Sequence, residues 1–118
     1  MRYMILIHSN AAAETVWTDG GAAVLDATHD AVIAELTAFG ELVDSNELDT
    51  QEVVVIGHHG GEPVATRGPF TEGTEWIGGY HIVDVADRER AVEIASRFAE
   101  NAYSPIEIRW LMHTPPAA

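Results

Sequence analysis

The sequence contains no cysteine and no lysine, and each absence narrows the possible chemistry. Without cysteine the chain has no disulfide, no thiolate metal ligand and no cysteine nucleophile. The chain has six arginines but 19 aspartates and glutamates, which gives a formal net charge of −13 at pH 7. Such a charge repels nucleic-acid phosphates and anionic lipid head groups. We therefore expect neither nucleic acid nor a membrane surface as a partner.

Long apolar segments and nucleotide-binding motifs are also missing. The apolar run at residues 1–7 is too short to span a membrane and is not followed by a signal-peptide cleavage site, so we expect a cytoplasmic protein. There is no P-loop, no G-x-G-x-x-G and no G-x-S-x-G, and we expect no cofactor. The 118 residues, 47% of them hydrophobic, predict one domain over residues 1–113 and a flexible tail at 114–118.

Hydrophobic periodicity divides the chain into strands and helices. Residues 1–7 are apolar at both odd and even positions, which predicts a strand covered on both faces. Residues 10–21 indicate a loop that includes a short helical turn. Apolar residues at helical spacing predict a first helix over 22–39, with Phe39 on its buried stripe and Gly40 as its end.

The second half of the chain predicts more strands and one more helix. The helix covers residues 87–100, with Asp84 or Asp87 as the N-cap. Strands are predicted at 41–45, 52–56, 62–66, 76–85 and 106–113, with a turn at 58–61 between the second and the third. This order predicts an α+β fold, a ferredoxin-like split βαβ arrangement with an extra hairpin. Two helices cover only one sheet face, so we expect a homodimer that covers the other.

One compound motif resembles a known family. It consists of Arg67-Gly68-Pro69-Phe70-Thr71-Glu72, followed by a strand from Glu75 to Val85 that contains Gly78-Gly79-Tyr80. This pattern resembles the DGPF family of YCII-related proteins, over roughly residues 1–113. The resemblance implies a dimeric α+β barrel. It also implies a possible partner, because some members are encoded with, or fused to, extracytoplasmic-function sigma factors.

The same motif contains one departure and several structural positions. Arg67 stands where the family has an aspartate, so no role of that carboxylate is carried over. The remaining motif residues are expected to fix a turn and a β-bulge rather than to react; they are Gly68, Pro69, Phe70, Gly78 and Gly79.

His29 is the strongest candidate for chemistry. It lies four residues after Leu25 and three before Val32, which places it on the buried stripe of the first helix. Two interpretations stay open: a neutral packing histidine, or a general acid/base in a cleft. YCII relatives are suspected enzymes that use a helix histidine and an aspartate, and that resemblance suggests Asp44 as the residue orienting the His29 ring.

Other histidines lie on predicted strands. His8, His81 and His113 could converge on one sheet face, but the metal-binding patterns H-x-x-x-H and H-E-x-x-H are absent, so we expect no metal. Glu107 and Arg109 share a face, where they either bind a polar ligand or form a cross-strand ion pair. The expected ligand-binding residues are His8, Tyr80, His81 and Arg109.

These features favour a small organic ligand, acidic or lactone-like, bound in a cleft by a cofactor-free enzyme of isomerase or lyase type. The alternative is a non-catalytic regulatory or interaction module that acts beside a sigma factor. In the first case His29 moves a proton, and in the second it only packs.

Overall fold

The computed structural model describes residues 1–68 and 75–113. The strands are β1 (Arg2–Asn10), β2 (Leu42–Glu47), β3 (Val54–His59), β4 (Glu62–Arg67), β5 (Glu75–Asp84) and β6 (Ile106–Trp110). The helices are α1 (Ala11–Val16), α2 (Ala22–Ala38) and α3 (Arg88–Ser96), with a kinked turn at Trp17–Gly21 and a 3₁₀ turn at Ala99–Ala102. Pro69, Phe70 and the predicted tail at 114–118 lie outside the described residues.

Four strands form one antiparallel sheet in the order β2-β5-β1-β6, and β3 pairs with β4 in a separate hairpin. This is the predicted α+β, ferredoxin-like arrangement with an extra hairpin. On β1 the odd side chains Tyr3, Ile5 and Ile7 are buried among residues of α2 and α3. Met4 and Leu6, on the opposite face, are half-buried and are not part of this core.

The α2 helix has the predicted buried stripe, except at its end. Leu25, Val32 and Leu36 are buried, whereas Phe39 is 68% exposed. The prediction for Phe39 was wrong because the helix stops there: Gly40 takes φ +70°, and the N–H of Glu41 donates to the Leu36 carbonyl. This is a glycine-terminated C-cap, and Phe39 is the cap residue at the exposed end of the helix.

The second predicted helix is shorter than expected. Asp87 is its N-cap, since its side chain accepts from the Arg90 N–H, while Asp84 pairs with the N-terminal amine. The helix ends at Ser96 rather than at residue 100. The Asn101 amide donates to the carbonyls of Ser96 and Phe98, which replaces the bonds that a longer helix would supply. The chain then enters the 3₁₀ turn, which carries Glu100 inward.

The hairpin turns at Gly60 and Gly61, both with positive φ, as a two-residue connection between paired strands requires. His58 and His59, predicted within the turn, are the last residues of β3. Gly68 donates to the Val53 carbonyl, and a Cβ at Gly68 would overlap the Val53 side chain. Gly68 therefore packs closely against β3, where a side chain would not fit. No helix in the described ranges is long and apolar enough to cross a bilayer.

Candidate functional site

A cavity of about 620 Å³ lies between the sheet and the segment that runs from α1 into α2. Its wall includes side chains from the kinked turn, from α2, from β2 and β5, and from the 3₁₀ turn. The residues used below are Trp17, His29, Ser45, Trp76, His81 and Glu100. The cavity therefore borders three of the predicted catalytic and ligand-binding residues, His29, Tyr80 and His81.

Four of these side chains form one continuous hydrogen-bonded chain. Ser45 Oγ lies 2.7 Å from Nδ1 of His81, and Nε2 of His81 lies 3.1 Å from Nδ1 of His29. The other ring nitrogen of His29, Nε2, contacts Oε2 of Glu100. The chain thus runs from a hydroxyl through two imidazoles to a buried carboxylate. We call it the Ser45–Glu100 chain.

Each member is positioned by a different element. His29 follows Leu25 by one helical turn on the buried side of α2. His81 lies between Gly79 and Val83 on the helix-facing side of β5, and Ser45 is its direct neighbour on β2. The 3₁₀ turn supplies Glu100.

Phe98 holds the two imidazole rings in place. Its ring is fully buried and stacks on His29 and on His81, with centroid distances of 4.5 and 4.7 Å. The two imidazoles lie 5.2 Å apart, centroid to centroid. Their orientation is therefore fixed by apolar packing as well as by hydrogen bonds.

The charge state of the rings follows from burial and from partner chemistry. Burial lowers the pKa of His81 to about 4; the neighbouring His29 ring acts in the same direction and the Glu100 carboxylate opposes it. His81 is therefore neutral at pH 7. With Glu100 ionised and both rings neutral, His29 donates through Nε2, His81 donates through Nε2 to His29, and Ser45 donates to His81.

The carboxylate beside His29 is Glu100 and not Asp44. Asp44 pairs in register with Ile82 on the sheet face opposite His81, and there it accepts a hydrogen bond of 2.9 Å from the Tyr80 hydroxyl. That bond raises the pKa of Tyr80. The expectation that Asp44 orients His29 was wrong, because neighbouring side chains of β2 point to opposite faces and, of Asp44 and Ser45, Ser45 is the one that faces the helices. Tyr80 borders the cavity.

Two predicted ligand residues lie away from the cavity. His8 Nε2 is 2.9 Å from Glu107 Oε1, and Arg109 Nε donates to Oε2 of the same carboxylate at 2.7 Å. Glu107 and Arg109 thus form the predicted ion pair, along one strand rather than across two, and both partners lower the pKa of Glu107. His8 and His81 occupy opposite faces of the sheet, so these two histidines do not converge. In the described part of the chain no cluster of three His, Asp or Glu side chains is arranged to hold a metal.

The two glycines of β5 shape the cavity wall. The register between β1 and β5 shifts at Gly78, which has no partner opposite it, as a β-bulge requires. A Cβ at Gly79 would stand 2.9 Å from the Asn46 carbonyl oxygen. Both glycines border the cavity, and the predicted bulge and close backbone approach are confirmed.

Sequence reasoning missed Ser45 and Glu100. Neither belongs to a recognisable spacing pattern, since Glu100 is 71 residues from His29 and Ser45 is 36 from His81. Ser45 lies beside His81 because of the register of β2 on β5, and the sequence does not reveal that register.

Comparison with known proteins gives one family. The family model described as YCII-related domain matches residues 1–111. No curated protein matches the chain.

Proposed function

The chain belongs to the YCII-related family, and on that premise we propose that it binds a small organic molecule in the cavity and transfers a proton to or from it through His29. The observation that carries this proposal is the Ser45–Glu100 chain, which connects a buried carboxylate to the cavity wall. Histidine is the side chain best suited to gain and lose a proton near neutral pH.

The proton passes through Ser45 because both nitrogens of His29 are already engaged. A ligand C–H or O–H proton moves to Ser45 Oγ while the hydroxyl proton of Ser45 moves to Nδ1 of His81. The Nε2 proton of His81 moves on to Nδ1 of His29. The ligand is left as an anion and His29 as an imidazolium, and the reverse sequence returns a proton to a different ligand atom.

The order of the two rings determines where the positive charge rests. His81, with its pKa near 4, is a poor site for an extra proton at pH 7. His29 contacts the Glu100 carboxylate, which stabilises an imidazolium by direct charge attraction. The charge therefore ends on His29, two hydrogen bonds away from Ser45. This supports an isomerase or lyase type of reaction on a carbon acid, of which a lactone is one example.

The test is proton exchange in D₂O. The protein is incubated with a panel of small ketones and lactones, and loss of the α-proton signal is followed by ¹H NMR. We expect exchange above the buffer rate for at least one compound. Replacement His29→Gln should slow that exchange by roughly 10²–10⁴-fold, the usual contribution of a general acid/base.

Two further variants separate catalysis from packing. Ser45→Ala removes the hydroxyl that meets the ligand and should lower exchange as strongly as His29→Gln, with little change in stability. His58→Gln makes the same substitution at an exposed histidine of the hairpin and should leave the exchange rate unchanged. A compound that binds equally to wild type and His29→Gln without exchange would instead support the non-catalytic alternative.

We also propose that two copies pack through their sheets. The face opposite the helices carries Met4, Leu6, Ile77 and Ile82, all partly or largely accessible in the single chain. A second copy covers them without a further partner, because a two-fold axis pairs identical surfaces. Light scattering should give twice the chain mass of 12.8 kDa. A folded monomer at micromolar concentration would contradict the proposal.

A further inference from the structure

Among the described residues, the cavity wall carries five carboxylates and no arginine. The acidic residues are Glu14, Asp26, Asp30, Glu47 and Glu100. All six arginines of the chain lie within the described ranges, and none of them borders this cavity. Arg90 and Arg97, for example, are paired with Glu35 at a different surface.

Four of these carboxylates form an exposed rim. No ion pair in the described part of the chain involves Glu14, Asp26, Asp30 or Glu47. A cleft lined by one sign of charge raises the local concentration of ligands of the opposite sign and repels ligands of its own sign. The rim therefore favours cations and disfavours the acidic ligand that the sequence suggested.

The fifth carboxylate, Glu100, has one oxygen that accepts no hydrogen bond from the described residues. Glu100 is only 6% exposed, and its Oε2 is occupied by His29. Its Oε1 is buried, with no hydrogen-bond partner among the described residues. A buried carboxylate oxygen that accepts no hydrogen bond lowers the stability of the fold. A bound molecule with an N–H or O–H group would supply the missing hydrogen bond to this atom.

Aromatic side chains complete the wall. Trp17 and Trp76, two of the three tryptophans, border the cavity, together with apolar residues such as Ile7 and Ile33. Tryptophan is the side chain whose ring face attracts cations most strongly. The wall therefore includes two indole rings, the type of ring that attracts cations, and apolar surface for a carbon skeleton.

We propose that the ligand of this cavity is an organic cation: a molecule with a primary ammonium group attached to an apolar or aromatic skeleton. The ammonium supplies the N–H donor that Glu100 Oε1 lacks, and the rim carboxylates and the tryptophans favour its charge. This rests on the proposed function and names the ligand class for the same site: a carbon acid that also carries an amine.

Three compounds of similar shape and different charge test this proposal. They are benzylamine, benzyl alcohol and benzoate, measured by calorimetry on the full chain at low salt. Benzylamine should bind at least about tenfold more tightly than benzyl alcohol, because hydrogen bonds to charged groups are the stronger ones. Benzoate should not bind. In NMR spectra the indole N–H signals of Trp17 and Trp76 should move, whereas that of Trp110, outside this cavity, should not.

Substitutions of the rim carboxylates test whether these residues determine the affinity for benzylamine. Glu47→Gln combined with Asp30→Asn should weaken benzylamine severalfold, and Glu100→Gln more strongly. Glu62→Gln, at an exposed glutamate of the hairpin, is the matched control and should have no effect. The rim variants keep the test valid if Glu100→Gln does not fold, because the rim side chains are exposed. Benzoate or benzyl alcohol binding as tightly as benzylamine would overturn the proposal, as would no binding of benzylamine at millimolar concentration.

The two proposals fail in different ways. Neutral ketones or lactones that exchange protons through His29 while benzylamine does not bind would preserve proton transfer and reject the cationic ligand. Tight benzylamine binding with no exchange of any carbon acid, amino ketones included, would preserve the cationic ligand and reject proton transfer.

Discussion

Acid should destabilise the folded chain through His81, and the size of the effect follows from its burial. In the unfolded chain a histidine titrates near its ordinary pKa of 6.5, whereas in the folded chain the pKa of His81 is about 4. Protons therefore bind the unfolded state more readily. Stability from this residue is fully present above pH 6.5 and is lost as the pH falls towards 4.

The expected loss of unfolding free energy is large enough to measure in ordinary unfolding experiments. The gap between 6.5 and about 4 corresponds to about 3 kcal/mol once the pH is below 4. About 2 kcal/mol of this should already be lost between pH 7 and pH 5. Urea unfolding followed by circular dichroism at several pH values in that window gives the free energy of unfolding directly.

A pair of variants isolates the contribution of His81 from that of other groups. His81→Phe keeps an aromatic ring against Phe98 and removes the titration, so its free energy of unfolding should depend less on pH, although the absolute value is lower because Ser45 and His29 lose a partner. His58→Gln, at an exposed position, should retain the wild-type slope. The reasoning is refuted if His81→Phe and wild type lose the same free energy between pH 7 and pH 5.

Three further predictions concern local structure and charge. Gly40→Ala should cost about 1 kcal/mol because φ is +70° there, whereas Gly57→Ala, at a glycine with open space around it, should cost less; urea unfolding compares the two. Asn10→Ala should cost about 1 kcal/mol or more, because it removes both the cap of α1 and the bond from Nδ2 to the Tyr103 carbonyl; Asn10→Asp should restore only the cap, since a carboxylate accepts from the Ala13 N–H but cannot donate to Tyr103. The melting temperature should rise on adding modest NaCl, because a net charge of −13 repels itself; a constant or falling value would mean that ion pairs such as Arg90 with Glu41 dominate.

Much of the fold could be predicted because its signals are local. The apolar stripe of α2, the stop at Gly40, the cap at Asp87 and the bulge at Gly78 each depend on a few neighbouring residues. The end of α3 could not be predicted, since Asn101 ends it through side-chain bonds that helix propensity does not describe.

The site was only half predictable for a related reason. The place of His29 followed from helical periodicity, but its partners come from β2, from β5 and from a turn after α3. Which side chain of β2 faces His81 depends on the register shift between Leu42 and Asp44, which moves Ser45 rather than Asp44 to the inner face. A carboxylate contributed by a 3₁₀ turn has no sequence pattern at all.

The stacking of Phe98 on both imidazoles has a consequence for how this protein can change over evolutionary time. The same ring is a fully buried member of the hydrophobic core, in one cluster with Ile5 and Leu36. A mutation that repacks the core will therefore also reorient His29 and His81. The core and the proposed site cannot change independently, so compensating changes near Phe98 should arise in pairs. Laboratory selection for heat tolerance should therefore also alter ligand binding in the proposed site, which would have to be measured at each round.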